Sequence, residues 1–165
     1  MYNFFQRVRR ESLRMKPIVK ENQVDTIDQC FNLTLRQADR VLTSYYDGHL
    51  RECGIKITQF SILRCLFLMQ ETSQKRLEKV LVINQATLTR NLSPLIKSGY
   101  VIRSQSDEDG RVRLISLSSN GEALYRKASK KWQVAQNKVA EELGHTLCGQ
   151  LSDVADAILS ISPDY

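Results

Sequence analysis

Apolar residues recur at three- and four-residue steps through Ile27, Phe31, Leu35, Ala38, Leu42, Tyr46 and Leu50. That spacing lines one side of an α-helix and predicts a long amphipathic helix, ended by Gly54. The next stretch carries Phe60, Ile62, Leu63, Leu66, Phe67 and Met69, apolar on most sides, so a buried central helix is expected, with Thr58 as its N-cap. Ser73 and Asn84 are cap residues for two short helices, the first reaching about Leu81 and the second running through Leu88, Leu92, Leu95 and Ile96 to Gly99. The period then changes. Val101–Gln105 and Val112–Leu117 flank the turn formers Asp107, Glu108, Asp109 and Gly110, which predicts a two-stranded hairpin. After a cap at Ser118 or Ser119, a long helix carries Leu124, Ala128, Trp132, Ala135 and Val139 to about Leu143. Gly144 breaks it, and a last helix spans about Thr146 to Ile161.

Long helix, buried helix, two short helices and a hairpin form the winged helix-turn-helix order. The fold class is mainly α with a small β-hairpin wing, carrying long N- and C-terminal dimerisation helices. At 165 residues the chain holds about one core. It divides into a basic N-terminal extension (1–22), an N-terminal dimerisation helix (23–57), a winged DNA-binding lobe (58–118) and C-terminal dimerisation helices (119–165).

Charge sharpens this picture because it is segregated. Residues 74–131 carry a net +7 and residues 1–22 carry +4, against −1 for 23–73 and −4 for 132–165. A basic middle suits a phosphate-binding surface, since Lys and Arg gain affinity by displacing condensed counterions. Cys30, Cys53, Cys65 and Cys148 are far apart, with no C-x-x-C pair and two histidines in the chain, so no metal site, cofactor or disulfide scaffold is expected. No apolar run is long enough to span a bilayer and the N-terminus lacks a signal-peptide core. The expectation is a cytoplasmic protein without a membrane partner. No glycine-rich phosphate loop or Cys-His-acid constellation supports an enzyme.

The second short helix has two separable faces. With Leu88, Leu92, Leu95 and Ile96 inward, Gln85, Ala86, Thr89, Arg90, Ser93 and Lys97 turn outward, and Thr87 lies at the N-terminal rim. Small hydroxyls permit close approach to phosphates or base edges, Gln85 suits adenine, and Arg90 suits guanine or a phosphate. In the hairpin, Arg111 and Arg113 lie two residues apart and so on one face, a placement that sends guanidinium groups toward a minor groove. Asp107, Glu108 and Asp109 would repel phosphates there, so Asp109 is expected to brace an arginine.

The run Asn84-Gln85-Ala86-Thr87-Leu88-Thr89-Arg90-Asn91-Leu92-Ser93-Pro94-Leu95, followed by Gly99-Tyr100-Val101 and Asp109-Gly110-Arg111-Val112-Arg113-Leu114-Ile115-Ser116-Leu117, resembles the recognition helix and wing of the MarR family. The likeness covers about residues 25 to 161. It implies a homodimer reading a pseudo-palindrome on double-stranded DNA, repression, and release by a small-molecule effector or an oxidant. By that matching Thr87, Thr89 and Arg90 fall at recognition-helix contacts, Arg111 at the wing arginine and Asp109 at a wing-bracing aspartate. Four positions depart. Ser106 and Glu108 leave half of the wing signature intact. Val82 replaces a frequent glycine and, being β-branched, would resist a positive φ, so a differently wound turn is expected. Pro94 removes the bond to the Arg90 carbonyl and predicts a slight kink.

Apolar stripes on the terminal helices, including Trp132, Leu147, Leu151, Val154 and Ile158, exceed what a small lobe buries and favour a homodimer. Two lobes about one helical turn apart, roughly 34 Å, then read a palindrome together. Cys30, near the start of the first helix, is a candidate redox switch, with Tyr45 or Tyr46 as a hydrogen-bond donor to it; a buried inert thiol is the competing reading. A candidate effector pocket lies near Tyr46, His49 and Cys53, where scaffold meets lobe. A winged-helix adaptor that binds protein instead of DNA is the remaining alternative.

Overall fold

The computed structural model describes residues 30–105 and 113–161, and the contacts of the described residues divide into two compact units at the step from Val41 to Leu42. Helix α1 (Phe31–Leu50) begins beside Cys30, whose carbonyl accepts from the Thr34 amide at 3.0 Å and from its hydroxyl at 3.2 Å. It passes into a 3-10 turn, Arg51–Cys53, ended by Gly54 at φ 70°. This left-handed stop is the one the glycine predicts. The expected Ile27 lies outside the described residues.

Helix α2 (Ile57–Met69) starts earlier than Thr58, and Thr58 is not its cap. Asp47 Oδ1 accepts from the Ile57 amide at 2.7 Å, and the Gln59 side chain accepts from the Lys56 amide at 3.0 Å. Thr58 is thereby released for a tertiary contact. Phe60, Ile62, Leu63 and Leu66 of α2 are all buried, so this helix is the strut that sequence pattern predicts.

The hairpin belongs to a three-stranded antiparallel sheet. Strand β1 (Glu71–Ser73) adds to β2 (Val101–Gln105) and β3 (Arg113–Leu117) in the order β1-β3-β2. Its register sets Thr72 opposite Ile115, and Arg103 opposite the same Ile115 on β2. Between the strands lie α3 (Gln74–Leu81) and α4 (Gln85–Lys97), and after β3 runs α5 (Ser119–Leu159), interrupted at Gly144 with φ 74° and ψ 164°.

One core joins these elements. Leu50, Phe60, Leu63, Leu66, Leu77, Leu88, Leu92, Ile115 and Ala128 are all buried in it, each large side chain contributing about 1.5–3 kcal/mol. An aromatic column links α2 to α5: Phe60 stacks on Trp132 at 5.7 Å and on Tyr125 at 5.8 Å, and Tyr125 meets Phe67 at 4.4 Å. Arg64 lies over Trp132 and Arg126 over Phe67, closing both ends of the column with cations that stay near water.

Candidate nucleic-acid interface

The α3–turn–α4 unit is assembled by caps. Ser73 Oγ accepts from the Arg76 amide at 3.2 Å and starts α3; Asn84 Oδ1 accepts from the Thr87 amide at 2.8 Å and starts α4. Both satisfy amides that a helix start leaves without partners. Between them Val82 adopts the left-handed conformation, φ 52° and ψ 49°, with its amide directed to Glu78 and Lys79 carbonyls. The expected avoidance of positive φ is therefore wrong. The amides of Val82 and Ile83 close back on Lys79 and Glu78 at 3.2 and 3.1 Å, and these bonds hold a turn that a β-branched residue alone would leave.

Helix α4 presents the two faces its periodicity predicts. Leu88, Leu92 and Leu95 are buried, while Gln85, Ala86, Thr89, Arg90, Ser93 and Lys97 are exposed and Thr87 is half-buried. The helix continues through Pro94 to Lys97.

Three side chains contact this face in ways that sequence pattern did not predict. Thr58 Oγ1 donates to Asn91 Oδ1 at 2.9 Å, and Asn91 Nδ2 donates to the Thr87 carbonyl at 2.9 Å. Gln74, first in α3, places Nε2 3.5 Å from Thr89 Oγ1. A polar residue on the buried side of an amphipathic pattern was the available signal for Asn91. No local signal marks Thr58 or Gln74, because their partners lie far along the chain.

The sheet adds charge. Arg113 pairs with Gln105 in register, two positions from the Arg103–Ile115 pair, so Arg103 and Arg113 share a face. Both are exposed. Lys75, Arg76 and Lys79 of α3 are exposed too, which places much of the basic middle of the chain around α4. Asp109 and Arg111 lie outside the described residues. At the base of the wing Ser118 Oγ donates to the Gly99 carbonyl at 2.6 Å and accepts from the Gly121 amide at 3.0 Å, fixing α5 to the sheet.

This arrangement can hold polyanions by charge and offer donors and acceptors on an accessible helix. Among the described residues no group of three or more His, Cys, Asp or Glu side chains is placed to hold a metal ion.

The MarR family model matches residues 55–112. The organic hydroperoxide resistance transcriptional regulator of Bacillus subtilis is 32% identical over 108 residues, which span 66% of this chain and 69% of that protein. The chain belongs to the MarR family. That family is one of DNA-binding transcription regulators and not of enzymes. The M. tuberculosis transcriptional regulator MOSR, solved in complex with DNA, shares 29% identity with this MarR-family chain, covering 81% of it and 98% of MOSR at a TM-score of 0.71. A mutant MarR from E. coli, complexed with operator DNA, has the same fold at 21% identity, covering 82% and 99% of the two chains at a TM-score of 0.73.

The other candidate residues are distributed around the scaffold. Cys30 is exposed next to α1. Tyr46 hydroxyl donates to Gln136 Oε1 at 2.5 Å, so its proton is engaged there and is not available to Cys30 as expected. Burial, and then the neighbouring Tyr45, push the Tyr46 phenol above its ordinary pKa. Tyr45 packs edge-on against His49 at 4.9 Å, and Cys53 is half-buried in the following turn. A cavity of about 230 Å³ lies elsewhere, lined by Leu66, Phe67, Gln70, Glu71, Ser116, Leu117 and Glu122. Tyr46, His49 and Cys53 do not line it. No helix among the described residues is long and apolar enough to cross a membrane.

Proposed function

We propose that this MarR-family chain is a cytoplasmic repressor that binds a pseudo-palindromic operator as a homodimer, with α4 in the major groove and the β2–β3 wing beside it. The observation that carries this reading is the exposed polar face of α4 standing over a buried leucine face, with Asn84 capping it. Gln85, Ala86, Thr87, Thr89, Arg90, Ser93 and Lys97 supply the helix contacts, and Arg113 with Arg111 the wing contacts. Asp109 braces the wing arginine. MOSR, solved in complex with DNA, and MarR, of the same fold and complexed with operator DNA, support the DNA-binding reading.

The homodimer is supported by an apolar stripe on the last part of α5. Leu147, Leu151, Val154 and Ile158 are each at least 41% exposed and repeat at four- and three-residue steps. A stripe of that kind is costly in water and fits a helix of a second copy. The domain partition follows from the same reading, with terminal helices as scaffold and residues 58–118 as the DNA-binding lobe.

Release of the operator by a small-molecule effector near Tyr46, His49 and Cys53 completes the proposal, because a ligand there would move the end of α1 against α2. A thiol switch at Cys30 is the second reading; its exposed thiol and the kinship with a hydroperoxide resistance regulator favour it.

Selection of bound duplexes from a random pool at near-physiological salt tests the function. A pseudo-palindrome is expected. Arg90→Ala should change sequence preference, and Arg113→Ala should weaken binding to every duplex and flatten its salt dependence. No enriched motif, or unchanged affinity in both variants, would overturn it. Repeating the selection under mild oxidation separates the switches: a motif lost on oxidation and regained with reductant in the wild type but retained in Cys30→Ser assigns the switch to Cys30, and a motif that persists in the wild type favours the effector.

A further inference from the structure

Two hydroxyls on the exposed face of α4, one turn apart, are engaged in opposite senses. Ser93 Oγ lies 2.7 Å from the Thr89 carbonyl oxygen. A carbonyl only accepts, so the Ser93 proton is held inward and its remaining lone pairs face solvent. Thr89 Oγ1 lies 3.5 Å from Gln74 Nε2. An amide NH2 only donates, so the Thr89 oxygen is the acceptor of that pair and its proton is directed elsewhere.

The surface of DNA sorts these two groups. Phosphate oxygens only accept, so a Ser93 whose proton is engaged has nothing to offer them. In the major groove the donors it can meet are the exocyclic amines, N6 of adenine and N4 of cytosine. Thr89 is matched to the acceptors N7, O6 and O4, or to a phosphate. Both side chains are exposed, and both lie on the face opposite Leu88, Leu92 and Leu95.

We infer that the recognition helix reads with opposite hydrogen-bond polarity at these two positions: Ser93 accepts from an amine-bearing base, whereas Thr89, oriented by Gln74, donates. This rests on operator binding through α4. It assigns Ser93 to base selection where residue type alone leaves phosphate and base-edge contacts both open. Gln74 touches no DNA in this scheme; it is a positioning residue that acts through Thr89.

The test is duplex selection with the full-length protein and Ser93→Ala, followed by titration of the selected duplex and of the same duplex with the base at the Ser93-dependent position lacking its exocyclic amine. The wild type should select adenine or cytosine at one position per half-site and bind the amine-free duplex about tenfold more weakly, the discrimination expected of a lost groove contact. Ser93→Ala should accept any base there, bind both duplexes equally and keep the wild-type salt slope. Thr89→Val and Gln74→Leu should weaken binding alike, with the double variant no weaker than either. All these side chains are at least partly exposed, and unchanged melting of each variant confirms that folding is intact. Equal weakening toward every duplex in Ser93→Ala, with base preference unchanged, would mark a phosphate contact and overturn the assignment. Unchanged base preference in Ser93→Ala would overturn it too, and additive losses at Gln74 and Thr89 would remove the positioning role. A wild type that selects no motif at all would instead overturn operator binding itself.

Discussion

Thr58 and Asn91, thirty-three residues apart, meet through a hydroxyl-to-amide hydrogen bond of 2.9 Å that ties the start of α2 to the middle of α4. The residue before Thr58 takes the Asp47 carboxylate on its amide, and Asn91 passes the connection to the Thr87 carbonyl. The end of α1, the strut and α4 are thus joined by successive polar contacts.

Removing either end of that contact should loosen α4 without emptying the core. Thr58→Val keeps the shape and loses the donor, so a stability loss of about 0.5–1 kcal/mol is expected for a partly exposed bond. Asn91→Ala also removes the second donor to the Thr87 carbonyl, which keeps its intrahelical partner, and should cost a similar amount. In a urea-denaturation cycle the double variant should be no less stable than Asn91→Ala alone. Strict additivity would show that the two side chains act independently.

Gly121 is fixed by a close approach. A Cβ at this position would lie 1.9 Å from the Tyr100 carbonyl oxygen, which is backbone and cannot rotate away. Alanine would gain about 1 kcal/mol in helix propensity, but the clash forces α5 off the sheet at a cost of about 1–3 kcal/mol or more. The clash should win, so Gly121→Ala is expected to lower the melting temperature by several degrees. A variant as stable as the wild type would mean that the α5 start shifts freely.

At Val82 the expected change has the opposite sign. A β-branched side chain at φ 52° carries about 1–2 kcal/mol of conformational cost, and Val82 is 39% exposed, so it packs through only part of its side chain. Val82→Gly removes the cost and gives back part of it as unfolded-state entropy. A net gain of about 0.5–1 kcal/mol is expected in thermal or urea unfolding. A loss would show that the valine side chain packs in the turn.

These cases also show what could be read from residue order. Period and caps placed α3 and α4, and Ser73, Asn84 and Ser118 cap as local chemistry requires, because those bonds span three residues. Gly54 and Gly144 break helices for the same local reason. Strand β1 escaped notice because three residues are too few to display alternation, and its pairing with β3 is a long-range event. Thr58 resembled a cap by type, yet Asp47, ten residues before Ile57, supplies the acceptor to the Ile57 amide. Gln74 and Asn91 entered the candidate site only through contacts that cross the fold. Arg111 follows from the two-residue spacing in the hairpin and Asp109 from charge repulsion there, with the family likeness added to both, and both lie outside the described residues.

Tyr46 gives a pH dependence with a definite sign. Its folded-state pKa is raised, chiefly by burial and then by Tyr45, so the folded chain holds the phenolic proton more tightly than the unfolded chain. The resulting stability is fully present below the ordinary tyrosine pKa of about 10 and is lost as pH rises through the folded value. Tyr46→Phe should cost about 1 kcal/mol at neutral pH through the lost bond to Gln136. Its deficit relative to wild type should shrink above about pH 10, where the wild type loses this contribution. Urea midpoints of both proteins across that range check the sign, and a deficit that grows with pH would contradict it.

The stripe on α5 yields the last expectation. Leu151 and Val154 are 48% and 49% exposed and stand one turn apart, so a charge at either site would face the proposed partner helix. Burial of a lysine ammonium there without a counterion costs several kcal/mol, more than a single exposed leucine contributes to one chain. Leu151→Lys should therefore shift the protein toward monomer in sedimentation equilibrium while leaving the lobe's near-ultraviolet circular dichroism in place. Operator binding should fall with it, because a single lobe contacts half of the palindrome and loses the gain of tethering two half-sites together. A Leu151→Lys protein that stays dimeric would move the interface away from this stripe, and a monomer with undiminished operator affinity would mean that one lobe is sufficient for recognition.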